Sequence, residues 1–200
     1  MKHKLIILFL LISGSTFACE CVEFNKENIT ELKKDVDYII IGTVVDNINL
    51  NNNKFIESYW KKNNKYQEVT VKVERIIKGK LKSDYIYIYQ IDAGNCARYF
   101  ENGKKYVFTG HKIKKFINLT PNNKVDEISK DTILDEIPFV EFDRNEISNE
   151  EYKNKRMYLS NVEFDFENWN KLAKKKNIIR TNGCLSSTME SDFGKLIMNN

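Results

Sequence analysis

The residues with the clearest chemical potential in this sequence are its four cysteines: Cys19, Cys21, Cys96 and Cys184. Thiols either pair as disulfides or bind a soft metal ion as thiolates. One residue separates Cys19 from Cys21, and a disulfide between them would close a ring too small for relaxed geometry. The spacing therefore predicts two long-range disulfides, and it leaves open which of the first two cysteines pairs with Cys96 and which with Cys184.

A thiolate site for zinc or copper is the alternative use of these cysteines. A C-x-C pair with two distant partners lacks the two paired knuckles that are typical of a structural zinc site. Export of the chain would also favour disulfides, because they persist in oxidising compartments.

The N-terminus predicts such export. A basic start precedes an apolar core at residues 5–12, which is too short to span a bilayer, and a small-x-small cleavage motif ends at Ala18. We expect a signal peptide over 1–18 and a secreted mature chain, 19–200, in the extracellular space or the periplasm. Lipoprotein processing is the alternative, and it would anchor Cys19 to the outer cell surface through a lipid. No later stretch is long and apolar enough to predict a transmembrane helix.

Catalytic chemistry has little support in the remaining residues. Without the predicted signal peptide, His111 is the only histidine of the chain, so a paired-histidine metal site cannot form. The sequence has neither a G-x-S-x-G serine motif nor a glycine-rich phosphate loop. The formal net charge is +4 at pH 7, and the basic residues are scattered among acids, which argues against a nucleic-acid partner. We therefore expect a protein that is not an enzyme and uses no cofactor.

The elements that must position the cysteines are mostly strands. Clean alternation or β-branched runs predict strands at 38–46, 68–76, 85–91 and 106–113, and Gly42 predicts a bulge or a bend in the first of them. These strands follow one another without a βαβ rhythm, so they predict an antiparallel sheet that a small barrel would close.

The segments around these strands predict helices and loops. Residues 25–37 have the apolar spacing of a short surface helix, and the asparagine-rich stretch 47–65 predicts a long hairpin loop. An acid-rich insertion with some strand content is expected at 115–170, with a helix at 168–177 and a short strand after it. Ser187 and Glu190 have the spacing of a capping box and predict the start of a C-terminal helix. Phe193, Leu196 and Ile197 would form the apolar face of that helix.

Several stretches together resemble a known family. In order along the chain they are "CECVEF" (19–24), "DVDYIIIGTVVD" (35–46), "VKVERIIKGK" (71–80), "CARYFENGKKYVF" (96–108) and "GCLSST" (183–188). The set resembles bacterial relatives of the tissue inhibitors of metalloproteinases, which belong to the netrin-like group of OB-fold modules. The resemblance covers about 19–112 and 178–197, and the insertion lies outside it.

The resemblance implies a mainly β fold: an OB-fold-like, five-stranded antiparallel barrel with flanking helices and an inserted segment. It also implies the disulfides Cys19–Cys96 and Cys21–Cys184. In the animal inhibitors, the α-amino nitrogen and the carbonyl oxygen of the first cysteine chelate the catalytic zinc of the target protease. Carried over, Cys19 would supply both atoms, and its amine would be freed when the signal peptide is removed.

Two neighbouring residues would widen that contact. Glu20 would enter the first specificity pocket of a zinc metalloprotease, and Val22, next to Cys21, would widen the contact together with the strand-joining loops. The animal inhibitors have a small hydroxylic residue where this chain has Glu20, so we expect a protease whose pocket is basic or open. The alternative function is a non-inhibitory netrin-like binding module at the cell surface, which would use the insertion or the segment 47–65 for its contacts.

Overall fold

A computed structural model describes residues 21, 24–81, 83–90, 97–118, 153–159 and 164–199 of the chain. In these ranges, helices α1 to α4 span Lys26–Asp35, Lys54–Asn63, Phe166–Lys175 and Asp192–Asn199. Strands β1 to β5 span Tyr38–Asn47, Lys65–Tyr66, Val69–Lys78, Tyr85–Gln90 and Phe100–Glu101. Strands β6 to β10 span Lys105–Ile113, Lys115–Asn118, Arg156–Leu159, Ile178–Thr181 and Ser186–Thr188.

Five of the strands close into a barrel. β1 pairs with β3, β3 with β4, β4 with β9, β9 with β6, and β6 returns to β1. The short strand β10 pairs with β6 at the side of this ring. The chain is mainly β, and the predicted OB-like barrel with flanking helices is confirmed.

The pairing in the barrel is mixed, where the sequence predicted antiparallel pairing throughout. β4 and β9 run parallel, and the other neighbours in the ring are antiparallel. Five is an odd number, so strands that alternate in direction around a closed ring must include at least one parallel pair of neighbours. A parallel pair also needs a long crossover connection, and the chain between β4 and β9 contains helix α3.

The barrel interior is apolar because alternate residues of each strand point into it. In β4, for example, Ile86 and Ile88 point inward and are fully buried. Burying one such side chain stabilises the fold by about 1.5–3 kcal/mol. The interior cluster consists of Tyr38, Ile40, Val44, Val69, Val71, Ile86, Ile88, Phe100, Tyr106, Phe108 and Ile179.

Helices α1 and α4 cover part of the outside of the barrel. Ile39 and Ile41 of β1 and Val107 of β6 point away from the interior and pack under both helices. Their partners from α1, its C-terminal cap and α4 are Ile29, Val36, Phe193 and Ile197. Because both faces of β1 are buried here, the strand begins with a continuous apolar run instead of an alternating one. The pairing register with β3 shifts between Ile41 and Gly42, which confirms the predicted bulge.

A second outer cluster joins the barrel to the ends of the predicted insertion. β7 and β8 pair in parallel, and α3 packs against β7. Where these elements contact β4, the aromatic rings of Tyr89, Phe116 and Trp169 pack together with centroid distances of 5.2–5.3 Å. The ends of the insertion are therefore part of the fold, and residues 119–152 between them lie outside the described residues.

The predicted hairpin loop at 47–65 is wrong, because helix α2 lies within it. The side chain of Asn53 accepts hydrogen bonds from the N–H groups of Phe55 and Ile56, and Asn64 ends the helix in the left-handed conformation. The asparagines that suggested turns are thus the caps of a helix. Trp60 of this helix packs against the barrel interior.

The predicted capping box of the last helix is also wrong. Ser187 belongs to β10 and pairs with Val107, so its neighbours form a strand and not the first turn of a helix. The helix begins later, where the Oγ of Ser191 accepts a hydrogen bond from the N–H of Gly194. Long-range pairing with β6 prevails here over a local capping signal.

We predict that Gly110→Ala destabilises the barrel by about 3 kcal/mol or more, because an added methyl group would overpack the β6–β9 contact. A Cβ on Gly110 would lie 2.0 Å from the carbonyl oxygen of Arg180. Gly103→Ala is the control: its φ is +75° and no atom lies within 4 Å, so it should cost only about 1 kcal/mol. Urea unfolding measures both, and equal losses would contradict this packing.

Candidate functional site

The structure describes one of the four residues predicted to form the partner-binding N-terminus. Cys21 is exposed and forms a disulfide with Cys184. Cys19, Glu20 and Val22 lie outside the described residues, and so does Cys96. The Cys19–Cys96 pairing and the zinc-chelating atoms of Cys19 therefore stay predictions.

Other predictions also fall outside the described ranges. They are the signal peptide over 1–18 and the alternative lipid on Cys19. Within the described ranges, no helix has the length and apolar character to span a bilayer. The same residues contain no group of three or more His, Cys, Asp or Glu side chains arranged to hold a metal ion.

The described disulfide is the one that the resemblance implied for Cys21. It joins two residues that are 163 positions apart, with their Cα atoms separated by 5.4 Å. A crosslink that closes so long a loop stabilises a fold by roughly 4–5 kcal/mol in the chain-entropy model. It fixes the N-terminal segment to the turn between β9 and β10.

That turn is rigid because a network of hydrogen bonds holds it. The side-chain oxygen of Asn182 accepts from the N–H groups of Cys184 and Leu185, at 3.0 and 2.8 Å. The carbonyl oxygen of Leu185 accepts from the hydroxyl and the N–H of Thr109 in β6, at 2.8 and 2.9 Å. Cys184, and through it Cys21, is thus positioned by the barrel wall.

A half-buried arginine connects this turn to the segment before β5. The Nε and Nη2 atoms of Arg98 donate to the carbonyl oxygen of Gly183, at 3.1 and 2.9 Å. Gly183 directly precedes Cys184. Two donors from one planar guanidinium fix direction as well as distance, so the segment 97–101 and the disulfide turn are held together.

Gln90, at the end of β4, holds the same segment from inside. Its side-chain amide donates to the carbonyl oxygens of Gln67 and Arg98, at 2.9 and 2.6 Å, and its oxygen accepts from the N–H of Arg98 at 2.9 Å. The sequence interpretation missed both Gln90 and Arg98. The available signal was a polar residue at the inward position that follows Ile86 and Ile88.

These contacts lie at one edge of the barrel, which we call the β4 exit edge. Gln90 and Thr181 end the parallel pair β4–β9, so the segments that follow both strands leave at the same edge. β3 begins beside this point, since Val69 pairs with Ile88. The β1–β3 connection, which contains α2, therefore reaches this edge too.

Four aromatic side chains cluster at this edge, and we call them the aromatic patch: Phe55, Tyr59, Tyr66 and Tyr99. Tyr59 and Tyr66 are half-buried, and Tyr66 packs against the barrel interior. Tyr59 is its centre, with ring centroids 6.2 Å from Phe55, 6.1 Å from Tyr66 and 6.2 Å from Tyr99. Phe55 is 71% exposed and Tyr99 is 42% exposed. Helix α2 has no buried residue, although Trp60 faces the barrel.

The segments that carry the aromatic patch are rich in lysine. Lys61 pairs with Glu57, and Lys104 pairs with Glu101 at 2.8 Å. Of the other lysines in these segments, Lys54, Lys62 and Lys65 form no ion pair with a described carboxylate. The patch therefore carries an excess of positive charge.

A half-buried carboxyl group lies beside the patch. Burial raises the pKa of Glu68 from 4.5 to about 7. Burial raises the pKa of the Tyr66 hydroxyl above 10.0. The nearby carboxyl of Glu68 and the hydroxyls of Tyr99 and Tyr59 raise this pKa further. Glu68 therefore changes charge near neutral pH.

His111 lies in a polar cluster with Asp35 and Asp37. Its Nε2 is 3.3 Å from Asp35 and its Nδ1 is 3.9 Å from Asp37. Burial lowers the pKa of His111 below 6.5, although both carboxylates oppose that shift. Burial would raise the pKa of Asp37, but hydrogen bonds from the Lys155 ammonium and the Lys112 N–H hold it below 3.8.

We predict that Glu68→Gln stabilises the protein at pH 8 and leaves its stability at pH 4 unchanged. Because the folded-state pKa of about 7 exceeds the reference value of 4.5, the folded chain binds more protons between these values. Stability must then fall as pH rises through that window. The gain at pH 8 should approach about 3 kcal/mol.

Urea unfolding at several pH values measures this effect. Exposed Glu57 serves as the control, and Glu57→Gln should change stability little at any pH. A Glu68→Gln variant with the same pH profile as the parent chain would contradict the assignment.

In comparisons with known proteins, no protein-family model, curated protein or solved structure matches the chain.

Proposed function

We propose that this chain is a secreted, non-enzymatic protein that inhibits a zinc metalloprotease through its mature N-terminus. The observation that supports it is the Cys21–Cys184 disulfide. It fixes an exposed residue, two positions after Cys19, to a rigid turn of the barrel. A terminus that begins at Cys19 would then be only two residues away from a position that the disulfide fixes.

The chemistry of the proposal lies in the α-amino group of Cys19. Such a group has a pKa near 8, so a zinc ion displaces its proton easily and binds the neutral nitrogen. The carbonyl oxygen of the same residue would complete a chelate with the partner's zinc. A pre-fixed segment loses little conformational entropy on docking, and this lowers the cost of binding.

Glu20 narrows the class of protease. Its side chain would enter the pocket next to the zinc, and burying an unpaired carboxylate costs several kcal/mol. The target is therefore a metalloprotease whose pocket is open to water or lined by Arg or Lys. Val22 would pack on the pocket rim.

The second candidate function is a cell-surface binding module that does not inhibit. The aromatic patch favours it, because its four clustered rings include the exposed side chains of Phe55 and Tyr99. A thiolate metal carrier has less support, since Cys21 and Cys184 are joined and do not offer thiolates.

We predict that one alanine added before Cys19 reduces inhibition by at least about 100-fold, because the chelating amine becomes an amide nitrogen. A panel of zinc proteases with basic, open and apolar pockets is assayed with the mature and the extended proteins. Mass spectrometry verifies both termini. Equal inhibition by the two proteins, or none by either, would refute the proposal.

A second prediction concerns the disulfide. Replacing both Cys21 and Cys184 with alanine should cost about 2–5 kcal/mol of stability and weaken inhibition at temperatures where the barrel remains folded. Circular dichroism verifies folding during the protease assay. Inhibition that survives unchanged in the folded variant would show that the crosslink does not position the terminus.

A further inference from the structure

The exposed aromatic side chains of the described residues are unevenly distributed. Phe55 and Tyr99 belong to the aromatic patch, whereas Tyr85 is a single exposed ring at the start of β4, at the opposite edge of the barrel. Single exposed rings are ordinary, but a contiguous group of them is typical of an interaction surface. Aromatic residues are enriched at the centres of protein interfaces.

The patch is held in place by the fold. Trp60 packs one side of α2 onto the barrel interior, so that Phe55 and Tyr59, four residues apart, face outward together. Tyr99 follows Arg98, which Gln90 and Gly183 hold by hydrogen bonds. Rings fixed in this way lose little freedom when a partner covers them.

Charge indicates the kind of partner. Lys62 lies on the same stripe of α2 as Phe55 and Tyr59, at helical positions three and seven residues away. Lys54, Lys62 and Lys65 form no ion pair with a described carboxylate, and lysines outnumber acids in the segments that carry the patch, so its rim is positively charged. An acidic surface would be attracted to this rim and would bind faster at low salt.

We propose that the aromatic patch is a second interaction surface, which binds an acidic protein partner through its rings and its lysine rim. A protein fits better than a small molecule, because ligand pockets are concave and the patch is carried by the outer side of a helix. This binding does not rest on zinc chelation by Cys19, and it goes beyond the proposed inhibition.

The first experiment places a photoreactive phenylalanine analogue at position 55, 99 or 85 of the full chain in the cells that export it. Irradiation should crosslink one protein from positions 55 and 99 and not from 85, and mass spectrometry should map the crosslink to an acidic segment. Crosslinks only to this chain or to a second copy, crosslinks to a basic segment, equal products from position 85, or no product would overturn the proposal.

The second experiment measures binding of that purified partner to variants inside and outside the patch, with Tyr85 matching Tyr99 in exposure, at 41% and 42%. Phe55→Ala and Tyr99→Ala should each raise the Kd by about tenfold or more, whereas Tyr85→Ala should change it less than about twofold. Lys62→Glu should weaken binding, whereas Lys175→Glu, in the last turn of α3, should not. Equal effects of the paired variants would overturn the proposal.

Salt and the terminus complete the test. The Kd should rise with ionic strength for the parent chain and less so for Lys62→Glu. The alanine-extended chain should bind the partner as well as the mature chain does, which separates this surface from the inhibitory terminus. A partner that the extended chain no longer binds would overturn the independence of the patch.

Discussion

The parallel pairing of β4 and β9 is the constraint on which the rest of the structure depends. A ring of five strands needs one parallel pair, and this pair sends the segments after Gln90 and after Thr181 out at the same edge. Arg98 and Gly183 meet there for that reason, and so the disulfide turn and the segment before β5 form one unit. The location of the candidate site thus follows from the closure of the barrel.

The β4 exit edge and the start of β1 differ in chemistry. The β4 exit edge has the disulfide, the aromatic patch and Glu68, a carboxyl whose burial raises its pKa to about 7. Beside the start of β1, His111, Asp37 and Lys155 form a half-buried polar cluster that ties the return of the insertion to this strand. The first region has exposed aromatic side chains, whereas the second uses its charges to hold the chain together.

Local patterns in the sequence were enough for the barrel strands, because alternation such as that of Ile86 and Ile88 reports directly on a buried face. They failed where distant partners decide. The asparagines around α2 predicted turns, but packing of Trp60 against the barrel interior stabilises a helix there. Ser187 pairs with Val107 in a strand and does not cap a helix. The bond from Arg98 to Gly183 joins segments 85 residues apart, so no local signal could reveal it, whereas the inward polar residue Gln90 was a signal that the sequence interpretation missed. The Cys21–Cys184 pairing came from the family resemblance, since spacing alone left two arrangements.

The crosslink between Cys21 and Cys184 has a consequence for the response of the barrel to backbone cleavage. It encloses 163 residue steps, which include every strand of the barrel ring. A single backbone cut anywhere between the two cysteines would leave both fragments covalently attached to each other. The barrel could then be cut in an exposed loop without losing either half.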